Sequence, residues 1–143
     1  MIARRGDGYE MAIDPDRLDI DLIHHWLSTD AFWALGRSRE TVERSVRASL
    51  NFGLYDADGA QAAYARVVTD LSTFAWLCDV YVAPAHRGNG LGTWLATAIR
   101  DHLAPYELKR VLLSTFDAHE VYAKAGFVPF PHPENLMILG PEE

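Results

Sequence analysis

A chain of 143 residues falls in the size range of one domain and can bury roughly two-thirds of the surface its unfolded form exposes. Its composition, 49% hydrophobic and 23% charged with seven scattered prolines, excludes collagen-like, low-complexity and disordered classes. Thirteen basic against twenty acidic residues leave a net charge of −7, the wrong sign for holding nucleic acid by its phosphates, so any anionic ligand must be gripped locally.

No apolar run approaches the roughly 18 residues of a membrane span, and no hydrophobic segment follows Arg4-Arg5. The sequence therefore predicts no membrane association and a cytoplasmic location. The single Cys78 lies in an apolar stretch and reads as a small core side chain. Without an internal repeat or a Gly/Ser-rich linker, residues 1–143 are expected to form one domain.

Taken in chain order, Tyr9 to Ile13 alternates weakly as a first strand. Ile20, Ile23 and Leu27 share one face of a helix over Asp19 to Ser28, and Val42, Val46 and Leu50 one face of a second over Ser38 to Leu50. Phe52 to Tyr55 and Gln61 to Thr69 flank Asp56-Ala57-Asp58-Gly59, a sequence suited to a tight reversal and hence a hairpin. The aromatic and β-branched run from Thr73 to Val82 predicts an interior strand covered on both faces, closed by Pro84. Leu91, Trp94, Leu95, Ala98, Ile99 and Leu103 then fall on one face of an amphipathic helix that ends before Pro105. Arg110 to Thr115 reads as a strand, Ala118 to Ala125 as a short helix stopped by Gly126, and Met137 to Leu139 as a last strand. Strand, helix, strand around a glycine-rich turn implies a parallel pair with a crossover.

The chemistry concentrates in Arg87-Gly88-Asn89-Gly90-Leu91-Gly92, between the buried strand and the amphipathic helix. Glycines let the backbone turn tightly and approach a ligand closely. The unpaired amides and partial positive charge of a helix start suit a pyrophosphate even in an acidic protein. Two better-known phosphate motifs are excluded: a dinucleotide fingerprint would need glycine at Thr93, and the P-loop Gly-Lys-Ser/Thr is absent.

What remains, Arg-x-x-Gly-x-Gly after a strand ending Val80-Tyr81-Val82-Ala83-Pro84, resembles the acetyl-CoA signature of the GCN5-related N-acetyltransferase (GNAT) superfamily. A second segment, Asp117 to Phe127 with Tyr122-Ala123-Lys124-Ala125-Gly126-Phe127, is similar to that family's Tyr-x-x-x-Gly-Phe. The resemblance covers roughly Ala75 to Phe130 and no specific motif upstream. It implies an α/β (α+β) acyl-CoA N-acyltransferase fold, with a mixed sheet of about six to seven strands, helices on both faces, and the fourth and fifth strands splayed. Pantetheine would pair with Val80, Tyr81 and Val82, and Gly88, Asn89, Gly90, Leu91, Gly92 and Thr93 would hold the pyrophosphate, with Arg87 and Lys124 as further cofactor contacts.

The implied reaction is direct attack of an amine, from a small molecule or a protein, on the thioester of acetyl-CoA. Tyr122 matches the family's acid, and the Val80 amide would meet the oxyanion. For the base, Asp79 is a carboxylate in an apolar strand, open equally to a structural pairing with arginine, and His119 lies three residues before Tyr122. Phe32 and Trp33 fall where the family builds its acceptor pocket, although a core role fits them equally. His24 and His25 lack a third ligand at suitable spacing, so no metal is expected. Homodimerisation is open, since relatives often pair. A non-catalytic CoA-binding module is the alternative reading, and a ligand-free interaction domain a third.

Overall fold

Six strands form one sheet in sequence order in the computed structural model, which describes residues 1–141. They are β1 (Ala3–Arg4), β2 (Glu10–Ala12), β3 (Leu50–Tyr55), β4 (Gln61–Thr69), β5 (Phe74–Val82) and β6 (Arg110–Leu113). Neighbours are antiparallel except β5 and β6, whose parallel pairing follows from the helical crossover between them. The helices are α1 (Ile20–Asp30), α2 (Arg39–Arg47), α3 (Leu91–Leu103) and α4 (His119–Lys124). None is long and apolar enough to cross a membrane.

Alternation along the strands divides the apolar residues between two cores. On one face Phe52, Leu54, Ala65, Val67, Ala75 and Leu77 pack against Leu91, Leu95, Ile99 and Leu103, the apolar stripe of α3. On the other, Tyr64 and Tyr81 meet Ile23, Trp26 and Leu27 of α1 and Val42 and Val46 of α2. Full burial of a side chain such as Leu95 or Ile99 contributes roughly 2 kcal/mol, and both are 1% exposed or less. The mixed sheet with helices on both faces is the arrangement the resemblance implied.

Helix starts follow their caps. Asp19 accepts the amide of Leu22 (3.0 Å) ahead of α1, and Ser38 that of Thr41 (3.1 Å) ahead of α2. The second helix stops three residues before the expected Leu50. The Asn51 amide donates to the carbonyls of Val46 (2.8 Å) and Ser49 (3.1 Å), which relieves the unpaired helix end and frees Leu50 to open β3 opposite Val67.

Other expectations need correction. β1 was not anticipated; two residues carry no readable alternation, yet Ala3 pairs with Met11. β5 is not covered on both faces throughout, since Phe74 and Trp76 are 38% and 36% exposed at the end that α1 and α2 do not reach. Met137 to Leu139 is not a strand. It follows a 3-10 turn at Pro133–Asn135 and leaves Met137 and Leu139 fully exposed and Ile138 largely so. Pro129, Pro131 and Pro133 on the approach supply no backbone donors for a ladder.

Candidate active site

β5 and β6 are paired only from Phe74–Arg110 to Leu77–Leu113. Beyond Leu77, β5 runs on through Val82 with β4 on one side and no strand on the other. The divergence coincides with a bulge. Tyr64 faces Tyr81 and Arg66 faces Cys78, so Ala65 alone opposes both Asp79 and Val80. Asp79 carries the extra residue at φ +51°, a left-handed conformation that aspartate tolerates better than most side chains. The outer edge of Cys78 to Val82 therefore presents backbone groups that need a partner from outside the sheet.

At the end of that edge the chain makes a 3-10 turn (Pro84–His86), passes the glycine turn and enters α3. Gly88 and Gly90 sit at φ +84° and +72°, where a side chain would be strained. Neither faces a close neighbour; the nearest atom to a Cβ at Gly90 would be Arg5 Nη1 at 4.0 Å. Gly90 caps α3 without a side-chain acceptor, so the first amides of the helix stay unpaired. A cleft of about 230 Å³ opens here, lined by Val82, Arg87, Gly88, Gly90, Leu91, Gly92 and Thr93 together with His86 and Val121. Unpaired amides, a helix start and glycines with room in front of them fit an extended phosphate-bearing ligand.

The remaining cofactor candidates are placed differently. The Asn89 side chain donates to the His86 carbonyl (3.1 Å), shaping the turn. Tyr81 points to the opposite face, stacked on Trp26 with its hydroxyl donated to Asp30 (2.5 Å), so only its backbone borders the open edge. Val80 packs with the α3 core. Arg87 is drawn back onto the scaffold, donating from Nε to the Val82 carbonyl (2.9 Å) and from Nη2 to Asp30 (3.2 Å). Lys124 is exposed and lies outside the lining of the cleft. Sequence reasoning missed Arg5, whose Nη1 donates to the Asn89 carbonyl (2.9 Å) and whose guanidinium lies over Trp94 at 5.6 Å. Its separation of 84 residues from Asn89 hides it from any local motif.

Tyr122 is partly buried against Phe127. Burial, with the charge of Asp117 adding to it, pushes its phenol up to about 12. The one fully enclosed side-chain polar atom without a partner among the described residues is the Tyr55 hydroxyl, so the Tyr122 hydroxyl is not fully enclosed. His119 begins the same helix, exposed, with no hydrogen bond to Tyr122.

Asp79 is 4% exposed. Its Oδ1 accepts from Trp33 Nε1 (2.9 Å) and its Oδ2 from Arg37 Nη1 (2.7 Å) and Arg66 Nε (2.9 Å). Burial by itself would raise its pKa, but the two guanidiniums outweigh burial and hold the carboxyl below its usual range. A depressed, fully engaged carboxylate is the reverse of what a general base needs, and the geometry favours the arginine-paired option that the sequence left open. Trp33 and Phe32 are not core residues. They are 44% and 61% exposed and stand edge to face, and Phe116, 84% exposed, lies 6.2 Å from Phe32 across the mouth of the divergence. Burial pushes the Cys78 thiol upward, away from nucleophilic readiness. His24 donates to the Arg37 carbonyl (3.1 Å), and no cluster of three metal-ligating side chains occurs among the described residues.

Comparison with known proteins agrees with this geometry. The profile described as Acetyltransferase (GNAT) family matches residues 20–127. A Gibberella zeae protein provisionally assigned as an acetyltransferase is 32% identical over 139 residues, spanning 84% of this chain and 78% of that one. A crystal structure of a GNAT-family protein from Xanthomonas campestris pv. campestris superposes with a TM-score of 0.87 at 42% identity, covering 92% of each chain. A Clostridium acetobutylicum protein crystallised with acetyl-CoA shares the fold at 15% identity and a TM-score of 0.68, over 92% of this chain and 94% of that one. With divergent strands, a glycine turn at a helix start and matching relatives in hand, the chain belongs to the acetyltransferase (GNAT) family.

Proposed function

We propose that the protein transfers the acetyl group of acetyl-CoA to a primary amine by direct attack. The observation that carries this reading is the end of β5–β6 pairing at Leu77–Leu113, which opens an unpartnered strand edge leading straight into the glycine cleft. Pantetheine would add to that edge as an extra strand along Val80 to Val82, and the amides of Gly88 to Thr93 would take the pyrophosphate. The acceptor would enter between Phe32, Trp33 and Phe116.

In the reaction the amine nitrogen attacks the thioester carbonyl, the C–N bond forms, and charge on the carbonyl oxygen is met by the Val80 amide. The C–S bond then breaks, Tyr122 donates its phenolic proton to the departing thiolate and regains one from solvent, and the amine gives up its surplus proton to solvent at the open mouth. The high pKa of Tyr122 supports this role, because the phenol keeps its proton throughout the neutral range.

The test is thiol release from acetyl-CoA across a panel holding a polyamine, α-amino acids, an amino sugar phosphate and an aromatic amine, with acetylated product identified by mass. Amine-dependent thiol release with matching product supports the assignment. Tight acetyl-CoA binding with no turnover on any amine would favour the CoA-binding module instead.

A further inference from the structure

Asp79 joins three elements that otherwise meet only through the core. Its left-handed backbone makes the β5 bulge, immediately before Val80. Its side chain, 2% exposed, takes Trp33 on one oxygen and Arg37 and Arg66 on the other. Trp33 and Arg37 both belong to the connection between α1 and α2, residues 31–38. That connection is also held by the His24 contact to the Arg37 carbonyl, and Arg66 reaches on to Ser49 Oγ at the end of α2 (3.1 Å). The segment carrying the aromatic pair Phe32 and Trp33 is thus fastened to the strand residue that precedes the proposed oxyanion amide.

The carboxylate is turned inward onto these three donors and not toward a substrate. Both oxygens are engaged, one of them twice, and the solvent route is closed. A bulge held only for strand geometry would need no indole and no arginine from a loop 42 to 46 residues earlier.

We propose that Asp79 is a positioning residue: it locks residues 31–38 onto the β5 bulge, so that the acceptor wall and the Val80 amide keep one relative geometry. This rests on the acetyl-transfer reading above. Acceptor affinity then depends on a residue that touches neither substrate.

Three variants separate this from a base and from a merely structural group. Arg37→Met removes one ion pair and leaves the Trp33 hydrogen bond and the Arg66 ion pair. Asp79→Asn tolerates the left-handed backbone and still accepts from Trp33, but loses the charge facing two arginines. Asp79→Gly frees the backbone and abolishes the clamp altogether. The readouts are amide hydrogen exchange over residues 31–38, the acetyl-CoA dissociation constant, and the pH profile and kinetic constants with whichever amine of the panel is turned over fastest.

In Arg37→Met, exchange over residues 31–38 is expected to quicken about tenfold while the glycine turn and α3 are unchanged. The acceptor KM should rise about tenfold with kcat within about twofold, because acceptor binding alone is disturbed. Asp79→Asn should extend the effect to kcat without removing a limb of the pH profile, and should recover part of the activity that Asp79→Gly loses. Loss of a pH limb in Asp79→Asn with loop protection intact would overturn the proposal in favour of a base. Wild-type exchange over residues 31–38 in folded Arg37→Met and folded Asp79→Asn would overturn it outright. Absence of acetyl-CoA binding by the wild-type protein would instead defeat the acetyl-transfer reading, while quickened exchange in the variants would still establish the clamp itself.

Discussion

Tyr122 and Asp79 show how environment rather than residue type sets a group's readiness to hold or release a proton. Burial raises the Tyr122 phenol to about 12, so it stays protonated wherever the enzyme works. Tyr122→Phe should lower kcat by roughly a hundredfold or more and leave acetyl-CoA affinity nearly unchanged, as steady-state kinetics and calorimetry would show. The wild-type kcat should not fall between about pH 7 and 10 through loss of this proton, and a decline there that vanishes in Tyr122→Phe would contradict the role. For Asp79 the sign is opposite. Its folded-state pKa lies below the unfolded value of about 4, so its stabilising contribution is present above that value and is lost as pH falls through the folded one. Urea midpoints measured from pH 5 down to 2 should therefore drop more steeply for the wild type than for Asp79→Asn. Tyr122 could be singled out as a candidate because it sits in a local motif. The setting of Asp79 could not be read, because Trp33, Arg37 and Arg66 come from other elements and only the fold brings them together.

At the scale of elements, the proposed pyrophosphate site depends on β5 delivering the glycine turn and on α3 beginning without a side-chain cap. Arg5 braces it from the N-terminal strand region, through the Asn89 carbonyl and the face of Trp94. Replacing Arg5 by alanine should cost about 1 kcal/mol of stability and weaken acetyl-CoA binding several-fold, measurable by thermal unfolding and titration; unchanged affinity would show that the turn holds itself. The long periodic stretch of α3 and the hairpin around Asp56–Gly59 could be read directly, since periodicity and turn chemistry are local. What could not be read was settled by long-range pairing or capping. β1 exists only because Met11 offers it an edge, and α2 ends where the Asn51 side chain takes its carbonyls. The apolar run at Met137–Leu139 has strand-like composition, but a strand also needs a neighbour, and none pairs with it among the described residues.

For the whole molecule, the proposed acetyl transfer asks a protein of net charge −7 to bind a highly anionic co-substrate, and backbone amides with a helix start would allow this without a basic surface. Leu136, Met137, Ile138 and Leu139 form an exposed apolar run, and we propose that a second copy of the chain covers it. Light scattering should then give twice the chain mass, and Met137→Glu with Leu139→Glu should return it to the monomer while leaving the fold intact; a monomeric wild type would remove self-association. The central claim is that the cleft beside the divergent strands holds acetyl-CoA. Calorimetric titration of the wild-type protein and of folded Gly90→Glu, whose carboxylate would enter the space in front of the turn, tests it most directly. Micromolar binding by the wild type, lost in the variant, is expected; no binding by the folded wild type, or equal binding by both, would contradict it.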